Sequence, residues 1–217
     1  MQHPRLYAFL GLSVLGALVV SGISPYDRAT WWLEVSPVLI ALPVLLGTAW
    51  RFPLTPLLYG LIALHCLVLI LGGAYTYARV PAGLWVQELF ALERNPYDRL
   101  GHFLQGLVPA LVAREILLRG GFVAHGRMLA FLSLCVAMAI SAFYELIEWG
   151  VALLAGGGAI DFLGTQGDPW DTQADMFWAL IGASTGLLGL ARLQDRQIAT
   201  LPGRGHHVRR ARRRGRS

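Results

Sequence analysis

Three short runs in this sequence set acids and an imidazole at helical spacing. Asp98, His102 and Gln105 follow i, i+4, i+7; Ser141, Glu145 and Glu148 repeat the interval; Asp171 and Asp175 are i, i+4. Each set falls on one face of a helix. Several carboxylates with one imidazole suit three kinds of chemistry. They can ligate a divalent cation such as Mg, Mn, Zn or non-haem Fe. They can carry protons. They can also pair with arginines as polar contacts between helices. Without one of these remedies such a group cannot stay fully ionised, because like charges and burial both disfavour the anion. Arg94 and Arg99 stand next to Asp98 in sequence, and Arg79 lies further back.

The elements that must hold these residues are apolar. The chain has 217 residues, 55% of them hydrophobic and 14% charged, with mean hydropathy +0.53. An ordinary soluble domain carries charge on about a quarter of its residues. Disorder is equally unsuited, given so much apolar surface to bury. The two cysteines make no disulfide framework and lack zinc-ligand spacing, so Cys66, Cys135 and the isolated His65 read as packing residues. No phosphate loop, dinucleotide fingerprint or HExxH is present.

Six stretches approach the roughly 20 apolar residues of a membrane span. They are Leu6 to Ile23, Trp31 to Ala49, Leu54 to Leu71, Leu100 to Leu118, Met128 to Leu154 and Thr172 to Leu193. The second carries Glu34, and the fourth is the weakest, interrupted by His102, Gln105, Pro109, Arg114 and Glu115. The expected fold is all-α: a polytopic membrane protein with six transmembrane helices in one bundle over residues 1–199. An Arg-rich tail follows at 200–217, read as structureless. All basic residues are Arg, and nine lie between Arg192 and Arg216. The positive-inside rule then puts both termini in the cytoplasm, with only Arg28, Arg79, Arg94 and Arg99 outside. The tail reads as a charge anchor on anionic lipid. Nucleic acid is not expected as a partner, since no aromatic residue interleaves the arginines.

This topology puts the polar sets at one depth. The start of the fourth span, the second half of the fifth and the start of the sixth all lie near the outer surface. Ionisable residues inside spans are expensive and are functional candidates by default. One outward-facing pocket is therefore expected, with His102, Glu145, Glu148 and Asp175, joined by Asp98 and Asp171. The candidate metal ligands are Asp98, His102, Glu145, Glu148, Asp171 and Asp175; the candidate catalytic bases are His102 and Glu145. Along the sixth span the same stripe continues through Gly182 and Gly186, a GxxxG pair that lets a neighbouring helix approach closely.

A competing explanation covers some of these acids. Ser24-Pro25-Tyr26-Asp27, Asn95-Pro96-Tyr97-Asp98 and Asp168-Pro169-Trp170-Asp171 share one pattern. A small polar cap, a proline in the first turn and an acid three residues after the cap together describe a helix start. Capping accounts best for Asp27 and leaves Asp98 and Asp171 open between cap and pocket.

The runs Asn95 to Phe103, Ser141 to Trp149 and Gly164 to Met176 resemble the YjdF-like family of uncharacterised bacterial inner-membrane proteins. The resemblance covers most of the chain before the tail. It implies a multi-pass inner-membrane location and brings no activity. A fainter similarity to the VanZ-like family rests on Asp98-Arg99, His102-Phe103, Glu145 and Asp171. It implies action at the outer leaflet, on a lipid headgroup or envelope precursor. By that analogy a phosphorylated lipid would sit near Arg94 or Arg99. The alternatives are a proton- or ion-coupled carrier and a structural membrane protein with buried polar pairing only.

Overall fold

The computed structural model describes residues 3–155 and 166–201. Gly156 to Gly158, Asp161 and the tail from Pro202 lie outside the described residues. Among the described residues every regular element is helical. The order is α1 (Pro4–Ile23), α2 (Arg28–Thr48), α3 (Pro56–Tyr75), α4 (Pro81–Leu89), α5 (Tyr97–Arg119), α6 (Arg127–Ala155) and α7 (Asp171–Thr185). A π-helical turn (Gly186–Leu190) then joins α7 to α8 (Ala191–Thr200).

The helix starts follow local chemistry. Pro4, Pro56 and Pro81 occupy first-turn positions, where a missing N–H costs nothing. The Thr55 hydroxyl accepts from the Leu58 N–H at the start of α3. At α2 the cap is Asp27, whose carboxylate accepts from the Thr30 N–H at 2.7 Å. That hydrogen bond holds the Asp27 carboxyl below the usual carboxylate range. Ser24 lies outside the helix, so the first of the three repeated motifs caps with its acid.

The other two motifs work differently. The Asn95 side-chain oxygen accepts from the Tyr97 N–H at 3.0 Å, and the Asp168 carboxylate from the Trp170 N–H at 2.9 Å. Those short turns bring the chain into α5 and α7, which carry no side-chain cap of their own. Capping thus does not explain Asp98 or Asp171. Both acids are released to face inward, where they are buried.

Five helical stretches are long and apolar enough to cross a membrane: α1, α2, α3, α6 and the run Asp171–Thr200. The segment expected as the fourth span is helical, as α5, but it is not among these five, because His102, Gln105, Arg114 and Glu115 lower its mean hydropathy. Its polar load is compatible with helix formation because α5 is the most covered element. Leu104, Leu107, Val108, Ala110 and Leu111 are buried along it, together with Asp98, His102, Gln105, Arg114 and Glu115.

Close approach between α5 and α7 depends on two glycines. A methyl at Gly106 would overlap the Ala179 carbonyl, and one at Gly182 would overlap the Phe103 carbonyl. Gly186 faces Leu107 and Leu111. The two helices run in the same direction: Asp171 lies near the Asp98 end, and Gln194 beyond α7 reaches Arg114. At that far end a polar clamp closes the bundle. Glu115 accepts from Thr55 N–H (3.1 Å), Thr55 Oγ1 (2.8 Å), Gln194 Nε2 (3.3 Å) and Arg119 Nη1 (2.7 Å). Arg114 pairs with Asp195 at 2.9 Å, and the Arg119 guanidinium stacks on Phe52.

A second apolar core joins α1, α2 and α3 through Val14, Trp31, Val35, Val38, Ala63, Cys66 and Ile70. The short α4 turns Leu84 and Trp85 outward, as an interfacial helix would. Cys135 is exposed on α6, contrary to its reading as a buried packing residue, because its face of the helix meets no neighbour.

Candidate functional site

At the Asp98 end of the bundle, α5, α6 and α7 converge on the imidazole of His102. Its Nε2 lies 3.4 Å from Asp98 Oδ1 and 3.7 Å from Asp175 Oδ2. Its Nδ1 lies 2.9 Å from Gln105 Oε1 and 3.8 Å from Glu145 Oε1. With the Gln105 carbonyl as acceptor, Nδ1 donates, and Nε2 is left facing the two aspartates. A ligating histidine is commonly oriented by a hydrogen bond of this kind from its other ring nitrogen. One atom each from Asp98, His102 and Asp175 lie within 4.8 Å of one another. All three residues are buried.

Two buried oxygens in this group have no hydrogen-bond partner among the described residues: Asp175 Oδ1 and Glu145 Oε1. Buried polar atoms are normally satisfied, so orphaned carboxylate oxygens point to a cation, a proton or water as their counterpart.

One layer further toward the helix starts, Arg94 gathers the remaining acids. It pairs with Asp98 at 3.3 Å, with Asp168 at 3.4 Å and with Asp171. Burial opposes its charge, but the hydrogen bond and charge of Asp171 and the charge of Asp98 raise its pKa above the ordinary guanidinium value. Asn95 fixes the position of Arg94. Its Nδ2 donates to the carbonyls of Ala78 and Val80, and its backbone exchanges two hydrogen bonds with the Gln166 amide. Arg94 is thus committed to carboxylates rather than presented to an outside anion. Arg99 makes no ion pair among the described residues, and its buried Nε has no partner.

The structure sorts the expected site residues into three places. Asp98, His102 and Asp175 come together, with Glu145 beside His102. Asp171 joins Arg94 instead. Glu148 lies on the opposite side, where it lines a cavity shared by α2, α3, α5 and α6. That cavity also exposes residues the sequence did not assign to the site: Glu34, His65, Tyr77 and Tyr144. Glu34 carried a usable signal, being an acid inside an apolar span. His65 and Tyr144 carried none beyond their type, since single polar residues on apolar helices usually pack.

A family model described as "Predicted membrane protein (DUF2238)" matches residues 6–196. The inner membrane protein YjdF of Escherichia coli (strain K12) is 63% identical over 195 residues, covering 90% of this chain and 93% of that protein. These matches carry the YjdF-like resemblance and not the VanZ-like one. No solved structure matches.

Proposed function

This chain belongs to the DUF2238 family of predicted membrane proteins, and from that premise we propose that it is a six-span inner-membrane protein with a divalent-cation centre at Asp98, His102 and Asp175. The inner-membrane location follows that of the Escherichia coli relative, an inner membrane protein by name. The sixth span is α5. It accompanies α7 and its continuation from Asp98 to Arg114, so it shares the depth of a stretch apolar enough to span. Its charges are covered by neighbouring helices rather than by lipid, the arrangement that permits ionisable residues in a membrane. The arginine distribution supports cytoplasmic termini, which turns the His102 centre toward the outer face.

The observation that carries the cation reading is the convergence of three buried ligand atoms within 4.8 Å, with Asp175 Oδ1 left unsatisfied. One imidazole nitrogen and two carboxylates suit Zn, Mn or Fe(II), and leave coordination positions open. A metal held there supplies Lewis acidity and an activated water. His102 as a ligand is unavailable as a base. Glu145, which faces it from α6 with a free oxygen, is the better base candidate. Arg99 is the cation left for an approaching lipid phosphate, since Arg94 is occupied.

Metal content of the purified full chain tests this reading. After loading with Zn, Mn or Fe(II) and desalting, the unmodified protein should retain about one equivalent. Asp175→Asn and His102→Ala should each lose most of it. Equal content in all three proteins refutes the proposal.

A further inference from the structure

On the far side of Asp98 and His102 lies a cavity of about 170 Å³. Its wall carries three carboxylates and two imidazoles. Glu34 from α2, Asp98 from α5 and Glu148 from α6 face it, along with the phenols of Tyr77 and Tyr144 and the imidazoles of His65 and His102. No arginine is among the described residues of its wall, and the chain contains no lysine. Glu34 is buried and accepts a hydrogen bond from the Tyr144 hydroxyl at 3.2 Å. His65 Nε2 is buried without a hydrogen-bond partner among the described residues. Arg94, which pairs with the lining residue Asp98, is shared with Asp168 and Asp171. Two of the three cavity carboxylates, Glu34 and Glu148, therefore have no arginine counter-ion among the described residues.

We propose that this cavity binds a small ammonium group, with Glu34 and Glu148 as its charge partners and Tyr77 and Tyr144 as its aromatic walls. Size, charge and surface agree on that class. An apolar protein cavity of about 150 Å³ holds benzene, so this one accommodates roughly six heavy atoms. A wall with three carboxylates and no arginine among its described residues, and whose His102 is already matched by Asp98 at 3.4 Å, disfavours phosphate and carboxylate and attracts a cation. Carboxylates and phenol faces are the usual partners of an alkylammonium. The rest of the wall is largely apolar, including Pro37, Leu69 and Ile140, which suits the carbon atoms next to the charge. The ammonium could come from a free amine or from the headgroup of an aminophospholipid; the chemistry at the cavity is the same. The site shares Asp98 and His102 with the cation centre but needs no metal there, so either proposal can fail alone.

The test uses the full chain, purified without amine buffers and treated with chelator. Labelled ethanolamine is titrated into the unmodified protein and into Glu34→Gln, Glu148→Gln and Asp175→Asn. In parallel, thermal stability is compared in nanodiscs of phosphatidylethanolamine and of phosphatidylglycerol. Saturable ethanolamine binding, weakened about tenfold or more by either glutamate change and kept in Asp175→Asn, supports the cavity and assigns a free amine. Glu34-dependent stabilisation by phosphatidylethanolamine, without free ethanolamine binding, supports it with a lipid source. Two results overturn it: neither amine source acting through Glu34 and Glu148, or inorganic phosphate binding in their place. Glu148→Gln guards against a folding artefact, since Glu148 is only half-buried.

Discussion

Arg94→Met is the sharpest test of how the acids at this end of the bundle are held. Arg94 and its partners Asp98 and Asp171 have side chains no more than 10% exposed. Removing one member of such a pair strands a buried charge, at a cost of about 3–5 kcal/mol. Asp168 is 28% exposed and adds under about 1 kcal/mol. Asp98 keeps His102 at 3.4 Å, so the stranded charge is chiefly that of Asp171. Neutralising that acid should therefore repair the damage. Arg94→Met with Asp171→Asn should recover about 2 kcal/mol relative to the sum of the single changes. Unfolding of the purified protein in mild detergent, titrated with a denaturing detergent and followed by tryptophan fluorescence, gives the four corners of the cycle. Additive costs, or a loss under about 1 kcal/mol for Arg94→Met, would refute the assignment of Arg94 as counter-ion.

Two further outcomes follow from local geometry. Asp27→Ala should cost about 1 kcal/mol at neutral pH; because the folded Asp27 carboxyl titrates below its usual range, its contribution is present above that range and fades as pH falls through it, so the gap to the unmodified protein should close in acid melts. Gly182→Ala should cost about 1–3 kcal/mol, since its methyl meets the Phe103 carbonyl, whereas Gly60→Ala, with open space around it, should be neutral or slightly stabilising in the same thermal melts.

Much of this architecture is legible in composition and spacing because lipid leaves few options for the backbone. The apolar runs containing α1, α2, α3 and α6 declare themselves within a few residues. The last run is longer than the sequence suggests, reaching Thr200 through a π-helical turn rich in glycine and leucine that has no distinctive signature. α5 is the instructive element. Its polar residues weaken the hydropathy signal, and those same residues are the site and the clamp. The i, i+4 relation of Asp98 to His102 shows in the sequence, but the identity of its partners does not. Whether Asp175 or Glu148 reaches His102 depends on how α6 and α7 rotate against α5. That rotation is set by contacts such as Gly182 on the Phe103 backbone, which no single-helix pattern encodes. Glu34 stands out in the sequence as an acid within an apolar run, yet its place opposite Tyr144, 110 residues away, depends on tertiary packing.

The three Pro-containing motifs show how the same local code yields different outcomes when the surroundings differ in energy. Capping by an acid is worth about 1 kcal/mol. A buried pair with arginine, once the charge is committed to the interior, holds several times that against its rupture. At Asp27, on an accessible helix start, no buried cation competes, and the carboxylate caps. At Asp98 and Asp171 the stronger interaction is within reach through Arg94, and the turn is closed by Asn95 and Asp168 instead. Diverting the two acids also pulls the first turns of α5 and α7 toward one guanidinium. That sets the register in which His102 meets Asp175 one turn below. Arg94 thus acts on the His102 centre by position, and the geometry of the proposed cation site is expected to loosen when the arginine is lost even though it supplies no ligand atom.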